Sequence, residues 1–158
     1  MKEYDFDASI NHQLATTANS LRRITFKLIT EKGLDITPEQ WVVLYYLWTE
    51  NGLSLGMLSE KSKKDFANVS RIVDKLVKSG YIEKRKSQTD SRSFHVFLLP
   101  HAESIKDQVI SCWQEATAIL TNGIPTEKQE MLLNLFSKMD KNLSEYMNRN
   151  KGNVAENS

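Results

Sequence analysis

The chain has 158 residues, 40% hydrophobic and 26% charged, which suits one globular domain or two small connected ones. A single cysteine, Cys112, excludes an internal disulfide framework and a thiolate metal cluster and fits a reducing compartment. The acidic opening MKEYDFDASINHQL lacks a signal-peptide core, and no apolar run approaches the roughly 18 residues of a membrane span, so a cytoplasmic protein without a membrane anchor is expected.

From Ser9 to about Thr30, Ile10, Leu14, Thr17 or Ala18, Leu21, Ile24 and Leu28 recur at steps of three and four, the mark of an amphipathic helix. Gly33 supplies its stop. In DITPEQWVVLYYLW, Thr37 stands where an N-cap belongs, Pro38 at the first helical position and Gln40 at the far end of a capping box. Ile36 and Trp41 have the spacing of a hydrophobic staple, so a helix begins here and runs to Glu50-Asn51-Gly52. LSLGMLSEKS repeats the device for a short helix, with Ser54 as N-cap and Leu53 stapled to Leu58.

A third helix of this set spans 65 to 79, opened by Asp65 and closed by Gly80. At about 100° per residue, Val69, Ile72, Val73, Leu76 and Val77 form one apolar stripe, with Asn68, Arg71, Lys75 and Lys78 on nearly the opposite face. Tyr81-Ile82 and Phe94 to Leu98 are β-prone, and the polar stretch EKRKSQTDSRS between them predicts a hairpin with a charged tip. Two more helices follow. One carries Ile105, Val109, Cys112, Trp113, Ala116 and Ile119; the other carries Leu132, Phe136, Met139, Leu143 and Tyr146 or Met147. Gly123-Ile124-Pro125 separates them, Thr126 and Gln129 read as a capping box, and residues 149–158 lack apolar pattern and read as a disordered tail.

Charge is distributed unevenly over these elements. Residues 61–92 hold ten Lys or Arg against four acids, a local +6, while the rest of the chain carries −5 and the whole only +1. Such polarity attracts a polyanion. Three short helices and a charged hairpin make a winged helix-turn-helix, whose second turn-motif helix fits the DNA major groove. Asn68, Ser70 and Arg71 are placed to meet base edges or adjacent phosphates. Lys75 and Lys78 lie further along and suit phosphate, and Ser54, Lys64, Lys84 and Arg85 complete the DNA-binding set.

The chain resembles the MarR family of bacterial transcription regulators through ITPEQWVVLYYL, NVSRIVDKLVKSGYIEKR and the D-x-R pattern at Asp90-Ser91-Arg92, ten residues after Gly80. The resemblance implies a mainly α fold with a small β-hairpin wing. A domain over 8–148 would hold dimerisation helices at 8–31 and 103–148 and a DNA-binding lobe at 37–100. It also implies a homodimer with interlocked terminal helices on a pseudo-palindromic operator in double-stranded DNA, Arg92 entering the minor groove, and Asp90 orienting an arginine such as Arg85. The terminal apolar stripes exceed what a small winged helix covers, and a two-fold dimer would set its reading helices about 34 Å apart. Lys84 departs from the family's usual arginine, and Leu98-Leu99-Pro100-His101-Ala102 from its usual wing exit.

Trp41, Tyr45 and Trp48 share a helical face and, with Trp113, are candidates to line a pocket for a small organic effector; the same stripe is also what a core looks like. Cys112 falls on an apolar stripe and reads as core rather than sensor. His12, His95 and His101 lack ligand spacing, so no metal and no cofactor is expected. With no phosphate loop, nucleophile motif or metal triad, an enzyme is not expected. The leading reading is a sequence-specific DNA-binding regulator, a ligand-responsive dimeric repressor. The alternative is a winged-helix interaction module docking an acidic protein.

Overall fold

Four helices begin where a side chain satisfies the unpaired N–H groups of the first turn. In the computed structural model, which describes residues 5–86 and 93–155 and side chains up to 149, Ser9 Oγ accepts from the His12 amide at 3.3 Å and opens α1, Ile10–Glu31. α2, Pro38–Thr49, starts in the expected capping box: Gln40 N–H donates to Thr37 Oγ1 at 3.3 Å and Thr37 N–H to Gln40 Oε1 at 2.7 Å. Ser54 caps α3, Leu55–Ser62, through the Met57 amide at 3.2 Å, and Asp65 caps α4, Phe66–Lys78, through the Asn68 amide at 2.8 Å.

The α3–α4 turn is closed without glycine. Lys63 takes φ 54°, a left-handed conformation rare for a residue with a Cβ. The Lys64 amide returns to the Ser59 carbonyl at 3.2 Å, and Ser59 Oγ donates to the Lys64 carbonyl at 2.5 Å. These two bonds hold the lysine in place and set the angle between the two helices.

β1 (Leu53–Ser54), β2 (Ile82–Lys86) and β3 (Phe94–Leu98) form an antiparallel sheet of order β1-β3-β2, in which Leu53 faces Val96 and Lys84 faces Val96 from the other side. The expected hairpin is therefore one strand short of the sheet; β1 is only two residues long and coincides with the cap of α3. Gly52 makes this junction possible. Its φ is 87°, its amide donates to the Val96 carbonyl at 3.0 Å, and a Cβ there would stand 2.8 Å from the Phe97 ring. At the wing exit Pro100 begins α5, Pro100–Thr121, and His101 stacks on Tyr81 with centroids 4.4 Å apart.

The chain divides into two compact units, 1–117 and 118–158. In the first, Val43, Leu44 and Leu47 of α2 pack with Leu58, Val69, Val73, Leu76, Ile82 and Val96, all essentially inaccessible to water. Thr25, Leu28 and Ile29 of α1 and Ala102, Ile105, Val109 and Cys112 of α5 are buried as well. The stripe of α1 behaves differently toward its N-terminus: Ile10, Leu14 and Ile24 are exposed.

The second unit holds the last residues of α5, a turn at Gly123 and α6, Thr126–Ala155. Here the expected capping box at Thr126 is displaced. The Pro125 carbonyl accepts from the Lys128 and Gln129 amides, and Gln129 Nε2 donates to the Ile124 carbonyl at 2.7 Å, so Thr126 lies inside the first turn. The helix also continues through 149–155, where sequence had suggested disorder. Arg149 pairs with Glu145 one turn back at 3.7 Å, and no proline interrupts. No helix among the described residues is long and apolar enough to cross a membrane.

Candidate nucleic-acid interface

α4 sorts its residues by angle. Val69, Ile72, Val73 and Leu76 are buried, and the direction opposite them is occupied by Ala67, Arg71, Asp74 and Lys78, all exposed. Lys75 is exposed on one shoulder of that face; Ser70 on the other is half-buried. Val77, read as part of the apolar stripe, is 38% exposed. Asn68 lies nearer the core than expected, half-buried in a cleft with Thr37, Gln40, Arg71 and Lys75. The Arg71 Nε–H donates to the Ala67 carbonyl at 3.3 Å, which ties the start of its guanidinium to the outward face.

At the base of the wing, Lys84 reaches back to Asp74 at 2.5 Å and so fixes β2 to α4. Arg85 is engaged twice, by the Glu83 carboxylate and by the Phe97 ring, whose centroid lies 4.4 Å from its Cζ. Asp90 and Arg92, placed by the sequence at the wing tip, lie outside the described residues. Between α3, α4 and the wing base runs a groove of about 490 Å³ lined in part by Ser54, Gly56, Ser70 and Lys84. Ser54 thus serves both as cap and as groove wall.

Lys64 has a different place. It is half-buried and faces a cleft of about 180 Å³ with Leu21, Arg22, Pro38, Glu39, Val42 and Trp113, where Arg22 pairs with Glu39 at 3.2 Å. Val42 and Trp113 also wall a second cleft of about 470 Å³ with Trp41, Tyr45, Tyr46, Ile110 and Gln114. Trp41 is the aromatic hub, with ring centroids 5.5 Å from Trp113, 5.6 Å from Tyr45 and 5.7 Å from Trp48. Three of the four aromatic candidates therefore meet at one cleft. Trp48 instead lies behind Trp41, its Nε1–H buried without an acceptor among the described residues.

Cys112 is fully buried, and burial first, then Glu115, pushes its thiol above the ordinary range, against the pull of Lys32 and a backbone hydrogen bond. Among the described residues no three His, Cys, Asp or Glu gather as a metal site.

Sequence reasoning missed Ala67 and Asp74 at the centre of the outward face, although the four buried positions fix that centre by simple rotation. It also missed Arg22, Tyr46 and Ile110, whose clefts arise from packing between helices distant in sequence.

Comparison with known proteins adds the following. The MarR family model matches residues 36–94. An uncharacterized HTH-type transcriptional regulator of Bacillus subtilis, YsmB, is 32% identical over 108 residues, which is 65% of this chain and 73% of that protein. Among solved structures, BpsR of Bordetella bronchiseptica, whose DNA binding is regulated by 6-hydroxynicotinic acid, superposes with a TM-score of 0.80 at 20% identity over 87% of this chain and 97% of that one. A mutant MarR of E. coli complexed with operator DNA gives a TM-score of 0.78 at 20% identity over 86% and 99% of the respective chains.

Proposed function

The chain belongs to the MarR family and is a DNA-binding transcriptional regulator, and we propose that it acts in the cytoplasm as a ligand-responsive dimeric repressor with no catalytic activity. Two copies of α4 enter successive major grooves of a pseudo-palindromic operator, about 34 Å apart. The observation that carries this reading is the outward face of α4, where Arg71 and Lys78 stand exposed opposite a fully buried aliphatic edge.

Each side chain then has a role set by its chemistry. Arg71 donates two bonds to guanine O6 and N7, and Asn68 meets an adenine edge or phosphate from its half-buried shoulder. Lys75 and Lys78 contact phosphates, as does the groove wall of Ser54, Ser70 and Lys84. Arg85 supports the wing, and Arg92 reaches the minor groove.

A second copy of the chain covers apolar side chains that one copy leaves in water: Ile10, Leu14 and Phe26 on α1 and, in the second unit, Leu133, Leu143 and Tyr146 on α6. The effector is an organic anion. Its apolar body fits the walls of Val42 and Trp113, and its charge meets Arg22 and Lys64. Regulation of BpsR by an aromatic carboxylic acid supports that class. Because Lys64 sits in the α3–α4 turn and Arg22 on α1, a ligand joining them shifts the reading helix relative to α1 and alters the spacing of the two heads.

Titrating salt against a promoter fragment tests the reading. Phosphate neutralisation predicts a steep linear fall of log affinity with log salt, and a minority of fragments bound far more tightly than the rest. A shallow slope with no preferred fragment would favour an acidic protein as the partner of the basic face.

A further inference from the structure

Phe66 is the first residue of α4 and is 56% exposed, although Val69, Ile72, Val73 and Leu76 of the same helix are buried. Capping does not explain it, since Asp65 provides the cap. Nor is the groove around it a continuous apolar patch, because Ser54, Ser70 and Lys84 share its walls with Leu55 and Phe94. Phe66 therefore stands exposed in a groove of mixed character, with Leu55 and Phe94 beside Ser54, Ser70 and Lys84, at the end of the helix that in this motif contacts base edges.

Resting on the DNA-binding reading above, we infer that Phe66 is a specificity-determining residue that recognises the C5-methyl group of a thymine in the major groove. The chemistry allows one occupant. Every other base edge exposed there is a hydrogen-bond donor or acceptor, and only thymine offers an apolar group. Ser70 lies one turn along on the same side of α4, and Arg71 lies next to it on the outward face, so the methyl contact falls beside the guanine assigned to Arg71. The serines and Lys84 accommodate the flanking phosphate while the ring meets the methyl. Ala67, exposed beside Phe66, extends the apolar corner by one methyl group.

The test uses the full chain and an operator selected from random duplexes, in which each thymine is replaced in turn by uracil to delete only the methyl. With wild type, one position per half-site should lose about fourfold in affinity, the effect of burying one methylene-sized group. Phe66→Ala, which removes the ring from both half-sites, should bind the thymine operator about sixteenfold more weakly, lose nothing further at that uracil, and keep the wild-type salt slope. Phe66→Leu should retain most of the methyl preference, and both variants should melt near the wild-type temperature because the ring is exposed. The same uracil penalties in Phe66→Ala as in wild type, or an equal loss on every sequence, would overturn the inference while leaving DNA recognition intact. Failure of the selection to yield any preferred sequence would overturn the DNA-binding reading, and the inference with it.

Discussion

Arg71 and Lys78 occupy the same outward face of α4, yet the account assigns them different work, and mutation separates the two. Arg71→Ala should cost about 1 to 3 kcal/mol per half-site and relax discrimination at one base pair in each, measured by anisotropy on single-substitution duplexes. Lys78→Ala, which removes one phosphate contact from each half-site, should weaken all duplexes alike and lower the salt slope by about two. Gly52→Ala belongs to stability. With φ at 87° and the Phe97 ring 2.8 Å from the new Cβ, it should lower unfolding free energy by more than about 1 kcal/mol in a urea titration. Cys112 should resist alkylation at pH 8 in the folded protein and react once the chain is unfolded, because burial raises its thiol above the ordinary range. The stability from that raised value is present below the unfolded thiol pKa and is lost as pH rises through the folded one.

Helix starts were legible from the sequence because a cap is a local device. Thr37, Ser54 and Asp65 accept the amide three residues on, as their spacing predicted, and Ser9 does the same at the start of α1. Thr37→Ala should therefore cost about 1 kcal/mol, read from the same urea titration. The element-level departures have physical reasons. β1 carries only Leu53 and Ser54, too short to show alternation, and exists because β3 offers it a partner 43 residues away, Leu53 against Val96. Thr126 resembled a cap, but the Pro125 carbonyl takes the first-turn amides instead. In the tail, α6 runs on to Ala155 without any apolar pattern to announce it. Rotation of α4 was legible to within a residue or two, enough to place Arg71 outward but not to see that Asn68 is half-covered or that Asp74 holds Lys84.

For the whole molecule, the interface face was readable from one segment of sequence, while the clefts that face α1 and α5 were readable only in their aromatic members Trp41, Tyr45 and Trp113, since Arg22, Val42 and Lys64 join them only on packing. The apolar residues left in water on α1 and α6 were readable as helical stripes and gain a purpose only in a pair of chains. Regulation in this reading depends on two copies of α4 reading one duplex together. Selection of bound sequences from random duplexes by the full chain tests this most directly. The account predicts a two-fold symmetric site whose half-site centres lie about one helical turn apart, roughly 10 base pairs. Enrichment of single unpaired half-sites, or of no sequence at all, would contradict it.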